Sequence, residues 1–119
     1  MRPLAITALL AWLWLPAALA DGHDAAAEID YLLNAIASSD CAFIRNGKRY
    51  DAAAARSHLR MKYKRGKRYV STAESFIARL ASKSSMSNQP YYIHCPDTAP
   101  VPSGEWLMDR LLERRNVAP

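Results

Sequence analysis

The chemistry of this chain begins with its cations. Ten Lys or Arg stand between positions 45 and 68, against one acid, Asp51. Residues 21 to 40 carry five acids and neither Lys nor Arg. A basic block of this kind binds phosphate, anionic lipid or acidic glycan, or forms a solvated helix face drawn to the acidic segment of its own chain. Arg56, Arg60 and Lys64 recur every four residues, so a helix places them on one stripe, with His58 nearby. Arg45 precedes them beside an Asn-Gly pair. Further on, "SSMSNQPYY" gathers the hydroxyls of Ser84, Ser85 and Ser87 ahead of Tyr91. Clustered hydroxyls and backbone N–H groups can hold an anion, or simply form a polar connector. The candidate ligand-binding set is therefore Arg45, Arg56, His58, Arg60, Lys64, Ser84, Ser85, Ser87 and Tyr91.

A second candidate site depends on processing. Met1-Arg2-Pro3 is a positive start, Leu4 to Leu15 an apolar run, and Ala18-Leu19-Ala20 a small-x-small cleavage site. Together they read as a signal peptide over 1–20. The apolar run is shorter than the roughly 20 residues a membrane span needs. The mature chain, 21–119, is one small domain without another stretch long enough to cross a membrane. It is expected in the periplasm or outside the cell, which disfavours nucleic acid as its partner even though Tyr50, Tyr63 and Tyr69 interleave the basic block. Cleavage after Ala20 exposes Asp21-Gly22-His23. A free amine, two amide nitrogens and the His23 imidazole can then wrap Cu(II) or Ni(II) in a square plane. No other motif asks for a cofactor.

Export also decides the cysteines. Cys41 and Cys95 are the only two, and no Cys-x-x-Cys exists, so a structural disulfide is expected rather than a redox pair. Catalytic motifs are absent: no Gly-x-Ser-x-Gly, His-Glu-x-x-His, Ser-x-x-Lys or phosphate-cradling glycine loop. A serine with His58 or His94 and Asp97 has no supporting spacing. The sequence points to a binding protein rather than an enzyme, with an unrecognised active site as the alternative.

The elements that must position these residues follow from periodicity. Asp24 to Ser38 reads as a helix with Ile29, Leu32, Leu33 and Ile36 inward. Phe43 to Asp51 reads as a hairpin turning at Asn46-Gly47. Asp51 caps a second helix carrying Ala52, Ala55, Leu59 and Tyr63, which Gly66 ends. Ser71-Thr72-Ala73-Glu74 fits a capping box opening a third helix, with Ala73, Phe76, Ile77 and Leu80 as its core face. Residues 82 to 90 read as a loop, "YYIHC" at 91 to 95 as a third strand, and the Pro-rich 96 to 104 as an irregular connector. Ser103 is expected to cap a last helix with Trp106, Leu107, Met108, Leu111 and Leu112. The fold class is a small, mostly helical α+β single domain with a short β-hairpin, a third short strand and one disulfide.

Several segments resemble the YfeK-like family of small exported bacterial proteins, a family without an assigned function. They are "FIRNG" at 43–47, "HLRMKY" at 58–63, "STAESFI" at 71–77, "ASKSSMSNQPYYI" at 81–93 and "WL" at 106–107. The resemblance spans most of the mature chain. It implies a periplasmic, compact domain and transfers no catalytic residue. The family usually has Gly where this chain has Asn88, and Asn tolerates positive φ better than most residues. The Ser87-to-Tyr91 spacing also resembles the Ser-Gly-x-x-Tyr loop of some periplasmic lysozyme inhibitors. Lysozymes are usually basic and this chain carries +5, so charge would oppose that complex. The expected partner is instead anionic: a protein patch, a lipid headgroup or a glycan of the cell envelope.

Overall fold

The computed structural model describes residues 23–117. The expected signal peptide, residues 1–20, and Asp21 and Gly22 of the candidate metal site lie outside that range. Helix α1 (Ala25–Ser38) begins where the Asp24 carboxylate accepts from Ala27 N at 3.2 Å. Strands β1 (Ala42–Arg45) and β2 (Lys48–Tyr50) form the hairpin, with Arg45 opposite Lys48. Asn46 (φ 50°) and Gly47 (φ 76°) take the left-handed conformations that this two-residue turn demands. Helix α2 (Ala52–Gly66) is capped by Asp51, which accepts from Ala54 N at 2.8 Å. A 3₁₀ turn (Lys67–Tyr69) leads to α3 (Ala73–Phe76), which continues as a π-helical turn over Ile77–Ala81. Strands β3 (Tyr92–His94) and β4 (Val101–Pro102) precede the final helix α4 (Ser103–Val117).

The four strands form one antiparallel sheet in the order β2-β1-β3-β4. Phe43 and Ile93 face each other across β1 and β3 and are both buried. The core gathers Ile29, Leu32, Leu33 and Ile36 of α1, Leu59 of α2, Phe76 and Ile77, and Leu107 and Leu111 of α4. Cys41 and Cys95 are joined by a disulfide that closes 54 residues, and it ties the start of β1 to the end of β3. Among the described residues no helix is long and apolar enough to cross a membrane.

Four expectations are corrected. First, the Pro-rich segment contributes a strand: Val101 pairs with Ile93 and Pro102 with Tyr92. β4 is an edge strand, where a missing N–H leaves no ladder bond unmade. Second, the capping box sits one residue later. Thr72 caps α3, with Ser75 N donating to Thr72 Oγ1 and Thr72 N to Ser75 Oγ, each at 3.0 Å. Glu74 is drawn instead to Arg115, 2.8 Å away. Third, the wider π turn adds a residue to the helical period, so the buried position falls on Ala81 rather than Leu80. Leu80 stays half-buried beside Gly66. Fourth, Ser103 lies inside α4, and its hydroxyl donates across to Ala81 O at 2.7 Å.

Candidate functional site

The helical period of α2 sorts the basic residues onto two faces. Arg56 donates to Asn34 Oδ1 at 3.4 Å and Arg60 to Asp30 Oδ1 at 3.3 Å, both on α1. This stripe attracts the chain's own acidic helix. Lys64, one turn further along, is exposed beside Ser57, Arg60 and Arg65. A different stripe, His58, Lys62 and Arg65, faces a cleft of about 490 Å³ between α2, the hairpin tip and the loop before β3. Arg45, Asn46, Ser84, Ser85 and Tyr91 complete its polar wall, and Met61, Leu80 and Met86 its apolar one. Of the nine sequence candidates, Arg45, His58, Ser84, Ser85 and Tyr91 meet in this cleft; Arg56, Arg60, Lys64 and Ser87 do not line it.

The cleft floor is one connected network. Tyr91 is 1% exposed, its ring 5.1 Å from that of Phe43 and its hydroxyl at the foot of the cleft. Lys62 Nζ donates to Tyr91 Oη and to Lys83 O, both at 3.1 Å. Nη1 of Arg45 lies 3.0 Å from His58 Nδ1 and 3.1 Å from Nε2, and Tyr91 Oη lies 3.3 Å from Nε2. A guanidinium only donates, so the imidazole must present a lone pair to it. With Nδ1 accepting from Arg45, Nε2–H donates to Tyr91 Oη, and the phenol proton is left to point into the cleft. The electrostatics agree. Burial first, then the charges of Arg45 and Lys62, lower the His58 pKa to about 4. Burial, then Arg45, lowers Lys62 to about 8. Burial also raises the Tyr91 phenol, so it stays protonated.

The 84–90 loop is held rigidly. Ser84 Oγ accepts from Ser87 N at 3.2 Å, and Asn88 N donates to Ser84 O at 3.0 Å. Ser87 Oγ donates to Asn46 Oδ1 at 2.6 Å, so the loop is tied to the hairpin tip. Asn88 adopts φ 62°, the conformation that glycine would supply at that position. The hydroxyls of Ser84 and Ser87 are thus engaged in building the loop. Tyr91 is buried rather than displayed on the loop surface.

Sequence reasoning overlooked Lys62, Arg65, Met61 and Met86. The spacing signal for Lys62 was present, because His58 and Lys62 are four residues apart. Among the described residues, neither Arg45, Lys62 nor Arg65 has a carboxylate at ion-pair distance. No group of three or more metal-ligating side chains occurs among them either. His23 is half-exposed, its Nδ1 3.7 Å from Glu28 Oε2. His58 and His94 are each held by an arginine, His94 by Arg49 at 3.0 Å, and not by a carboxylate that could orient a general base.

With the fold and cleft in view, the chain takes its place among its relatives. It is a small α+β domain with a cationic cleft, and over residues 23–115 it belongs to the family of unknown function DUF5329. It is similar to the protein described as "Uncharacterized protein YfeK" of Salmonella typhimurium (strain LT2). The two are 43% identical over 89 residues, covering 73% of this chain and 72% of the relative. No solved structure matches it.

Proposed function

We propose that the protein is an exported, periplasmic binding module that holds an anionic group in the cleft of Arg45, Lys62 and Arg65. The observation that carries this reading is the convergence of three cations on one concave site without a carboxylate among the lining residues. A half-buried ammonium whose pKa is pushed down to about 8 marks a place where positive charge is held at a cost. A bound anion offsets that cost. The Tyr91 hydroxyl adds a neutral donor. Binding is favoured over turnover because His58, with its pKa lowered to about 4, is a weak base at neutral pH. The Cys41–Cys95 disulfide supports an oxidising compartment. The anionic group would belong to an envelope molecule such as a lipid headgroup, a glycan or a protein patch.

Titration with inorganic phosphate, followed through the backbone amide resonances of the cleft, tests the reading. Saturable shifts are expected, lost in Arg45→Gln and Lys62→Gln and weakened by added salt. The pH dependence has a definite sign. Below about 8 Lys62 is charged in the free protein and adds no pH dependence of its own; above about 8 the ammonium must be reprotonated on binding, and affinity falls by up to tenfold per pH unit. Affinity that holds constant well above that pH, or survives Lys62→Gln, would remove the cleft from consideration.

A further inference from the structure

The cleft has a second character that a bare anion does not use. Its volume, about 490 Å³, falls in the range of small-molecule sites and would hold roughly sixteen waters at about 30 Å³ each. An inorganic oxyanion fills a small part of it. The rest of the lining is apolar: Met61, 39% exposed on α2; Leu80, half-buried at the edge of the core; and Met86, at the rim on the loop. Met86 is 99% exposed. Nothing in the loop's chemistry needs an apolar residue there, and the bonds of Ser84 and Ser87 fix the backbone on either side of it. A rigid loop therefore presents an uncovered thioether at the rim of a cationic site. Methionine side chains are flexible and polarizable, and they adapt to apolar ligands of irregular shape.

We infer that the cleft takes an amphiphilic anion, an alkyl- or acyl-bearing phosphate or carboxylate, with the head on Arg45, Lys62 and Tyr91 and the tail against Met61, Leu80 and Met86. This rests on the anion-binding reading and names the class of ligand for the same site. Both sets line one cleft: Arg45 comes from the hairpin, Lys62 from α2 and Tyr91 from the floor, while Met61 lies beside Lys62 on α2 and Met86 on the loop. A ligand of uniform polarity leaves one set uncovered. An amphiphile matches both.

The test is a series of calorimetric titrations with inorganic phosphate, butyl phosphate and octyl phosphate, each below its micellar concentration, and with octanol as the uncharged control. Affinity is expected to rise about two- to fourfold per methylene until the apolar wall is covered. Met61→Ser with Met86→Ser should cut that gain to the part supplied by Leu80 and leave inorganic phosphate binding intact; neither methionine belongs to the buried core, so the fold is preserved. Phosphate bound as tightly as octyl phosphate would overturn the amphiphile inference and leave the anion reading standing. Octanol bound as tightly as octyl phosphate, or no binding of any phosphate, would overturn both. Vesicles of phosphatidylglycerol distinguish the source of the ligand. Competition between vesicles and octyl phosphate would support the inference with a lipid headgroup as that source. Vesicle binding without octyl phosphate binding would overturn it, because a membrane would then be held by the wider basic surface.

Discussion

His58 illustrates how little a residue's type says before its neighbours are known. As a letter beside Arg56 and Arg60 it reads as one more positive group. In the fold it is the neutral member of the network, faced by Arg45 on the hairpin, by Tyr91 at the foot of the cleft and by Lys62 one turn along α2. Its pKa is about 4 when folded, against 6.5 for an unperturbed imidazole. As pH falls from about 6.5 the unfolded chain binds a proton that the folded chain refuses, so stability declines towards pH 4. Glu28 and Glu74 are held below the usual carboxylate range by Arg115, and their contribution is lost only below about 4.5. In His58→Gln the earlier decline should vanish, with acid destabilisation starting only where the carboxylates titrate. Urea midpoints across this pH range decide it; parallel decline of variant and wild type from pH 6.5 would refute the buried neutral imidazole. Charge density in the sequence located this region, but the stripe of α2 that reaches the cleft was not legible from it. Both stripes are basic and both have four-residue spacing. Only the position of acidic α1, packed against α2, assigns Arg56 and Arg60 to one side and His58 and Lys62 to the other.

At the scale of elements, regular periodicity was readable and its interruptions were not. The asparagine–glycine turn and the Asp24 and Asp51 caps follow from local rules that tertiary contacts did not override. The π turn has no such local signature. It forms where the end of α3 meets the start of α4, and three contacts define that junction. Ser103 N donates to Tyr91 O at 2.9 Å, Ser103 Oγ to Ala81 O, and Ser82 Oγ to Ile77 O at 2.6 Å. Gly104 sits over this junction, and a Cβ there would fall 2.5 Å from Ser82 Oγ. Gly104→Ala should therefore cost about 1–3 kcal/mol by overpacking, although alanine ordinarily favours a helix over glycine. The same displacement should reach the cleft through Leu80 and lower octyl phosphate affinity. A variant as stable as wild type, by urea denaturation, would mean the junction has room and that the π turn has another cause.

At the scale of the molecule, two fastenings hold the sheet and helices in one arrangement. The disulfide sits at one end of the β1–β3 ladder and fixes the register that brings Arg45 and Tyr91 to the other end. For a closed segment of 54 residues the chain-entropy argument assigns it about 4 kcal/mol. The second fastening was invisible in the sequence because its partners are 87 and 41 residues apart. Arg115 of α4 bonds both oxygens of Glu28 on α1, each at 2.9 Å, and both oxygens of Glu74 on α3, at 2.8 and 3.1 Å. Glu28 is 2% exposed, and that guanidinium is the main offset to its buried charge, with Arg114 and His23 more distant at 3.8 and 3.7 Å. Arg115→Met removes the partner and leaves a buried carboxylate, which typically costs about 3–5 kcal/mol. Replacing both residues, as Glu28→Met with Arg115→Met, removes the orphaned charge as well, so much of that loss should return. Chemical denaturation of the two single variants and the double variant measures the coupling between them. A double variant no more stable than Arg115→Met alone would show that the lost stability comes from helix packing and not from the unpaired charge. Recovery in the double variant would show that the ion pair joins α1, α3 and α4 chiefly by forbidding arrangements in which Glu28 is buried without Arg115.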